Sequence, residues 1–236
     1  MVPTPRSRPG ARARAALAAL LVAAAPAGAH EAPAVAPAPL AQPLPAPGSY
    51  ELPVIARVPD VLLLDPAGAP APLLELAPGQ VAVVSFVYTS CADGGGCPLA
   101  LATLQRLDRL VADDPELRGR VRLVTVSFDP ARDTPEVMRA LRERMRPAGD
   151  WRFRTAADAR AIAPVLAAFG QDALPLVDAR GRASGVLRHL LKVFLVDARG
   201  GVRNIYGADF LSAELLAVDA RTVLLDGRRA AAEGAP

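Results

Sequence analysis

Apolar residues occur along the chain either in short continuous runs or at helical spacing. The run at 81–88 is rich in β-branched residues and shows no clean alternation with polar ones, and a second apolar segment consists of Val121, Leu123, Val124 and Val126. That pattern predicts strands buried on both faces of a sheet. Bounding turn residues predict further strands at 61–65 and 151–153, and a hairpin formed by 192–197 and 202–206 around the turn at 198–201.

Helical spacing predicts four helices. The first opens at Pro98, since proline suits the first helical position, and carries apolar residues three or four apart to Val111. The second has Thr134 as N-cap, Pro135 at the first position and Glu136 in the positive end of the helix dipole. The others are predicted at 157–169, where Pro164 either kinks the helix or starts it, and from Ser212 to about Leu225.

Both cysteines of the chain, Cys91 and Cys97, lie between the first core strand and the helix at Pro98. Free N–H groups at a helix start favour a thiolate, so we predict Cys97 to be the more acidic thiol and the pair to form a reversible disulfide. A strand, two thiols and a helix in this order indicate a redox or soft-metal site. The alternative is a structural disulfide that closes a surface loop.

The order of the predicted elements is strand, helix, strand, helix, helix, hairpin and helix, with a turn-rich insertion at 171–187 that stays unassigned. A parallel core with an antiparallel pair at its end, and two thiols after the first core strand, is typical of one α/β fold. We therefore predict a thioredoxin-like three-layer sandwich with a central mixed sheet and a C-terminal hairpin plus helix.

The N-terminus resembles a secretory signal. Arginines precede an apolar stretch at 15–25, and Ala27-Gly28-Ala29 fits a cleavage site. The stretch is short of the roughly 18 residues that a spanning helix needs. We therefore expect an exported, periplasmic protein that is soluble and not stably inserted in a membrane. The predicted organisation is a signal peptide at 1–29, a Pro/Ala-rich linker at 30–49, the folded domain at 50–225 and a disordered tail at 226–236.

The formal net charge of +3 comes from 27 basic and 24 acidic residues, but four of the arginines belong to the predicted signal. Without them 23 basic residues face 24 acidic ones, a net charge of −1, so we expect no nucleic-acid partner. Cleavage would expose His30 as a new N-terminus. Its amine and imidazole would suit copper, although an untethered chain end is the simpler interpretation.

Three segments carry a resemblance to a known family: YTSC at 88–91 followed by CP at 97–98, SFDPARDTPE at 127–136, and HLLKVFLVD at 189–197. Over residues 50–225 the chain resembles the Sco/SenC family, thioredoxin-fold copper-binding factors that serve assembly of the binuclear copper site of cytochrome oxidase. The resemblance implies Cys91, Cys97 and His189 as copper ligands. Two thiolates and an imidazole suit Cu(I) and can also hold Cu(II). The implied partner is a copper-receiving client, such as a cytochrome oxidase subunit.

The chain departs from the family pattern in two places. Five residues, three of them glycines, separate the cysteines where the family usually has three residues. The family also usually has an aspartate just before the histidine and a Ser or Thr after it, whereas this chain has Arg188 and Leu190. Because a carboxylate would orient a metal-bound imidazole, we predict that Arg188→Asp strengthens copper binding.

Four functions remain open from the sequence. A copper-binding assembly factor needs Cys91, Cys97 and His189 together, and this metallochaperone role is favoured over an enzyme. A thiol–disulfide reductase that keeps a partner's cysteines reduced needs only the two cysteines. A peroxide-reducing enzyme on the same fold lacks a peroxidase motif around Cys91. A binding module with a structural disulfide completes the set.

Overall fold

A computed structural model describes residues 43–91 and 96–233 of the chain. Its ten strands are β1 (Ala56–Arg57), β2 (Leu62–Leu64), β3 (Pro70–Pro72), β4 (Val81–Val87), β5 (Val121–Ser127), β6 (Trp151–Arg154), β7 (Leu174–Val177), β8 (Ala183–Arg188), β9 (Val193–Asp197) and β10 (Gly201–Tyr206). Its four helices are α1 (Cys97–Asp113), α2 (Pro135–Met145), α3 (Ala159–Ala168) and α4 (Ala213–Glu233). Within the described ranges, no helix combines the length and apolar character that crossing a membrane requires.

Six strands form the central sheet, in the order β1-β10-β9-β4-β5-β6. Strands β4, β5 and β6 are parallel, while β9 runs antiparallel to β4 and β10 antiparallel to β9. Every residue of β4 and of β5 is buried, so both faces of the sheet centre are covered. This is the thioredoxin-like sandwich that the sequence predicts, with its mixed sheet and its C-terminal hairpin plus helix.

The strand directions decide where functional side chains can meet. Strand β4 ends at Val87, and β9 begins beside that end because Ser85 pairs with Val193 in antiparallel register. The segment after β4 and the segment before β9 therefore lie at the same edge of the sheet. Helix α1 starts at this edge and is joined to α2 by a hydrogen bond of 3.0 Å from Gln105 Nε2 to the Met145 carbonyl.

The insertion at 171–187, which the sequence left unassigned, contains most of a two-stranded sheet formed by β7 and β8. Its apolar residues Leu174, Val177 and Val186 are exposed instead of facing a core. The strands were missed because their apolar residues follow no burial pattern and because Pro175 lies inside β7. Strand β8 ends directly before His189, so this small sheet leads the chain into the candidate site.

The C-terminus corrects one sequence prediction. Helix α4 continues to Glu233, so most of the tail predicted as disordered at 226–236 is helical. Alanine and arginine are strong helix formers, and they extend the helix past the last apolar contacts. The predicted signal peptide, most of the linker, residues 92–95 between the cysteines and the last three residues lie outside the described residues.

The two remaining sequence uncertainties concern the folded domain's start and Pro164. Gly48, close to the predicted boundary at residue 50, contacts α4, since its N–H donates to Thr222 Oγ1 at 3.0 Å. Pro164 lies inside α3, which begins at Ala159. Asp158 caps that helix by accepting a hydrogen bond of 2.8 Å from the Ala161 N–H.

Candidate metal centre

The structure brings together the three residues that the sequence singled out. One ligand atom from each of Cys91, Cys97 and His189 lies within 4.8 Å of the other two. The Cys97 sulfur lies 3.7 Å from His189 Nε2. Both cysteines are present as thiols and not as a disulfide. The cluster sits where the strand directions place it, at the edge of the sheet where β4 ends and β9 begins.

The two cysteines differ in burial and in the elements that hold them. Cys97 is the first residue of α1 and is 3% exposed, whereas Cys91 is half-buried. The Cys91 N–H donates to the Tyr88 carbonyl at 3.2 Å, which turns the chain back after β4. One sulfur is thus fixed by a rigid helix, and the other lies on a turn nearer the surface.

Burial overturns the predicted acidity of Cys97. Loss of solvent around the sulfur raises the pKa of the Cys97 thiol, and the nearby Cys91 raises it further. Backbone hydrogen bonds from Tyr88, which follows β4, and from Cys97 itself at the helix start lower the pKa, but burial outweighs them. The sequence could place Cys97 at the helix start but could not show that its side chain points inward.

The imidazole of His189 is oriented by a backbone carbonyl. Its Nδ1 lies 3.1 Å from the Leu187 carbonyl oxygen. Because a carbonyl can only accept, Nδ1 carries the proton and the lone pair of Nε2 faces the Cys97 sulfur. The ring also contacts Phe128 and Tyr88, with centroid distances of 4.9 and 5.5 Å. These contacts leave Nε2 as the nitrogen available to a metal.

This orientation reduces the effect expected from the absence of an aspartate before the histidine. The Arg188 side chain is exposed, and the Leu187 carbonyl already holds the imidazole nitrogen that a carboxylate would have held. A carboxylate at position 188 would therefore have less to add than the sequence alone predicts. The second departure, the longer spacing between the cysteines, falls largely on residues 92–95, outside the described ranges.

Asp133 accepts hydrogen bonds from the segment that leads to Cys91, and the sequence did not assign it a role. Its side chain is fully buried and accepts hydrogen bonds from Ser127 Oγ at 2.5 Å and from the Thr89 N–H at 3.1 Å. The Thr89 hydroxyl also donates to it. Asp133 thereby ties the end of β5 and the approach to α2 to the segment that leads to Cys91. Its position in the 127–136 segment was the only sequence signal.

A cavity of about 320 Å³ opens beside the two sulfurs. Tyr88, Cys91 and Cys97 line it together with further residues of α1 and the end of α2, including Leu101 and Met145. Burial raises the pKa of the Tyr88 hydroxyl, and its hydrogen bond to the Cys91 side chain adds to that shift. At neutral pH the phenol is therefore a neutral donor or acceptor at the wall of the cavity.

The donor set determines the chemistry that is possible here. Two soft sulfurs and one imidazole nitrogen match Cu(I), and their number fits its preference for low coordination. Two neighbouring thiols can also form a disulfide. Fold and site together define a thioredoxin-like protein with a combined dithiol and metal-ligand site.

Comparison with known proteins gives the family. The SCO1/SenC family model matches residues 72–224, and the chain belongs to this family. In a sequence search of curated proteins no significant match appears.

Solved structures of Sco proteins share the fold. ScoI of Bradyrhizobium japonicum, solved with copper bound, is 21% identical, with a TM-score of 0.53 over 74% of this chain and 98% of that one. Apo Sco1 of Thermus thermophilus is 25% identical, with a TM-score of 0.55 over 74% and 91%. BsSco, described as a Sco-family cytochrome c oxidase assembly protein with a disulfide switch, is 19% identical, with a TM-score of 0.56 over 78% and 98%.

Proposed function

We propose that this protein is an exported copper-binding metallochaperone that serves assembly of a copper site such as that of cytochrome c oxidase. The observation that carries the proposal is the convergence of Cys91, Cys97 and His189 within 4.8 Å of one another. Family membership supports it, as do relatives solved with copper bound or described as cytochrome c oxidase assembly proteins. The copper is cargo, and a copper-receiving client is the partner.

The three ligand residues have different roles in binding and releasing copper. Cys97 and His189 Nε2 are held 3.7 Å apart by the start of α1 and by the Leu187 carbonyl, so they form the fixed part of the site. Cys91 lies nearer the surface and is the ligand that a client thiolate reaches first. Because burial raises the pKa of the Cys97 thiol, copper binding must release its proton, and acidification favours release of the metal.

A thiol–disulfide oxidoreductase is the second candidate, and one observation favours it. Both cysteines are thiols and their sulfurs lie within 4.8 Å, a separation that a small movement of Cys91 would close into a disulfide. BsSco is described as having a disulfide switch. In this function the protein would keep client cysteines reduced, and His189 would be dispensable.

Complementation separates the two candidates. In a strain lacking this gene, we expect the full-length protein to restore the copper-site absorption of the oxidase in membranes. Cys91→Ser should fail under either function, whereas His189→Ala should fail only if copper is the cargo. Arg188→Ala, which removes an exposed neighbour of the histidine, is the matched control and should restore the signal. Full restoration by His189→Ala would favour the reductase.

We also propose the domain organisation and the location that the sequence predicts: a signal at 1–29, a linker at 30–49 and a folded domain that reaches the export compartment. The new boundary is at the C-terminal end, where α4 extends the domain to Glu233. N-terminal sequencing of the exported protein should give His30 as the first residue. A retained Met1, or recovery only with membranes, would contradict the export of a soluble domain.

A further inference from the structure

The end of α3 adopts a fixed geometry close to the histidine. Gly170 has a φ of +55°, and its N–H donates to the Ala167 carbonyl at 3.0 Å. The N–H of Gln171 donates to the Leu166 carbonyl at 2.8 Å. These two crossed hydrogen bonds form a Schellman motif, which only a residue that tolerates positive φ supports at low cost. The backbone of Gln171 is therefore set by the way the helix ends.

Aromatic packing ties this helix end to the sheet. The ring of Phe169, the residue before Gly170, lies 5.1 Å from Phe86 in β4 and 4.9 Å from Phe194 in β9, measured between centroids. The side chain of Phe169 is 5% exposed. The ends of β4 and β9 bound the candidate metal centre. Because Phe169 packs on both strands, the end of α3 has a fixed position relative to that centre.

The side chain of Gln171 reaches from this helix end to the chain that carries the histidine. Gln171 is 3% exposed, and its Nε2 donates to the Leu190 carbonyl at 2.9 Å. Leu190 directly follows His189, and its own side chain is 72% exposed, so packing of that side chain contributes little to holding this peptide. A second link runs from Lys192 Nζ to the Gly170 carbonyl at 2.6 Å.

The oxygen of the Gln171 side-chain amide makes glutamine energetically unfavourable at this position. Its Oε1 is buried and has no hydrogen-bond partner among the described residues. A buried acceptor without a partner is unfavourable, and a methionine of similar size would avoid that cost. Stability alone therefore favours an apolar side chain at position 171. What glutamine offers, and methionine does not, is the Nε2 donor that binds the Leu190 carbonyl.

We propose that Gln171 is a positioning residue for His189. By holding the Leu190 carbonyl, it fixes the peptide on one side of the histidine, while the Leu187 carbonyl fixes the ring itself. The two contacts together point Nε2 toward Cys97 before any metal arrives. The inference rests on the proposed function in taking His189 as a copper ligand, but the orientation of the ring can be measured without copper.

The test replaces Gln171 with methionine, which keeps the volume and removes the donor. In the full-length apo protein at about pH 9, above the usual imidazole pKa, ring ¹⁵N shifts of wild-type His189 should show one tautomer with the proton on Nδ1. The chain has two histidines, and His189→Ala assigns the signals. In Gln171→Met we expect a mixture of tautomers and a Cu(I) affinity lower by about 10-fold, the lower end of what loss of an outer partner costs.

Thr155→Val is the matched control. Thr155 is fully buried, follows β6 at the far edge of the sheet, and has a hydroxyl that lacks a partner among the described residues. Both substitutions remove an unsatisfied buried oxygen, and Gln171→Met also removes the hydrogen bond to the Leu190 carbonyl. Thr155→Val should therefore be as stable as wild type or more so, and Gln171→Met close to wild type. Only Gln171→Met should change the ¹⁵N pattern of His189.

Wild-type ¹⁵N shifts in Gln171→Met would overturn the proposal. If that variant does not fold, the side-chain amide of wild-type Gln171 decides the matter. Slow exchange of one Nε2 proton and a scalar coupling across the hydrogen bond to the Leu190 carbonyl would support the proposal, and their absence would overturn it. An altered ¹⁵N pattern with unchanged Cu(I) affinity would uphold the positioning role and count against His189 as a ligand.

Discussion

Replacing either cysteine by serine should abolish tight Cu(I) binding by the reduced protein. A hydroxyl is a hard, weak donor that does not substitute for a thiolate on Cu(I). The affinity should therefore fall by more than the roughly 10- to 100-fold that loss of an outer-sphere partner costs. A competition titration against a Cu(I) chelator measures the loss in each variant.

The difference in burial between the two sulfurs makes this test specific. Cys97 is 3% exposed, so Cys97→Ser also perturbs the core, whereas Cys91 is half-buried and its substitution does so less. A ligand role predicts equal loss of copper binding in both variants, and a purely structural role predicts loss in Cys97→Ser alone. Ser90→Ala, an exposed neighbour of Cys91, should bind as wild type. Tight binding by Cys91→Ser would rule out the two-thiolate site.

Asp133→Asn should destabilise the fold and weaken the site at the same time. The wild-type carboxylate is fully buried and accepts hydrogen bonds from Ser127 and from both the N–H and the hydroxyl of Thr89. An amide offers one acceptor and turns a donor toward these donors. Because hydrogen bonds to charged groups contribute about 1.5–3 kcal/mol each, we expect the free energy of unfolding to fall by about 3 kcal/mol.

Asp129→Asn is the control for this prediction. Asp129 lies in the same segment, and its side chain pairs with Arg132, which is 48% exposed. The Asp129 side chain is itself only 10% exposed, but it makes a single ion pair whose partner is open to solvent, so this variant should lose less free energy of unfolding in urea than Asp133→Asn does. Asp133→Asn should also lower Cu(I) affinity, since Thr89 precedes the turn to Cys91. Equal stability of the two variants would show that Asp133 does not hold the site together.

The sheet and the convergence of the site could be predicted from the sequence because both follow from strand direction. Two largely apolar segments predicted β4 and β5, and the 192–206 pattern predicted the antiparallel pair. Antiparallel β9 must start where β4 ends, which brings His189 to the cysteines. This inference needed only the order of the elements and the side of the sheet at which each one ends.

The remaining features depend on three-dimensional packing that periodicity does not encode. The burial of Cys97, which raises the pKa of a thiol expected to be acidic, depends on which way one side chain points at the start of α1. The carbonyl that orients His189 belongs to Leu187, and a backbone acceptor has no sequence signature. The β7–β8 hairpin was missed because its apolar residues are exposed and so show no inward-facing pattern.

X-ray absorption at the copper edge tests the central claim most directly. The reduced protein loaded with one Cu(I) should show two sulfur scatterers and one imidazole, and His189→Ala should lose the imidazole multiple scattering while keeping both sulfurs. That result would establish the ligand set of Cys91, Cys97 and His189, whose side chains the apo fold already brings within 4.8 Å. A spectrum with sulfur ligands alone, unchanged in His189→Ala, would contradict the three-ligand site and favour the reductase.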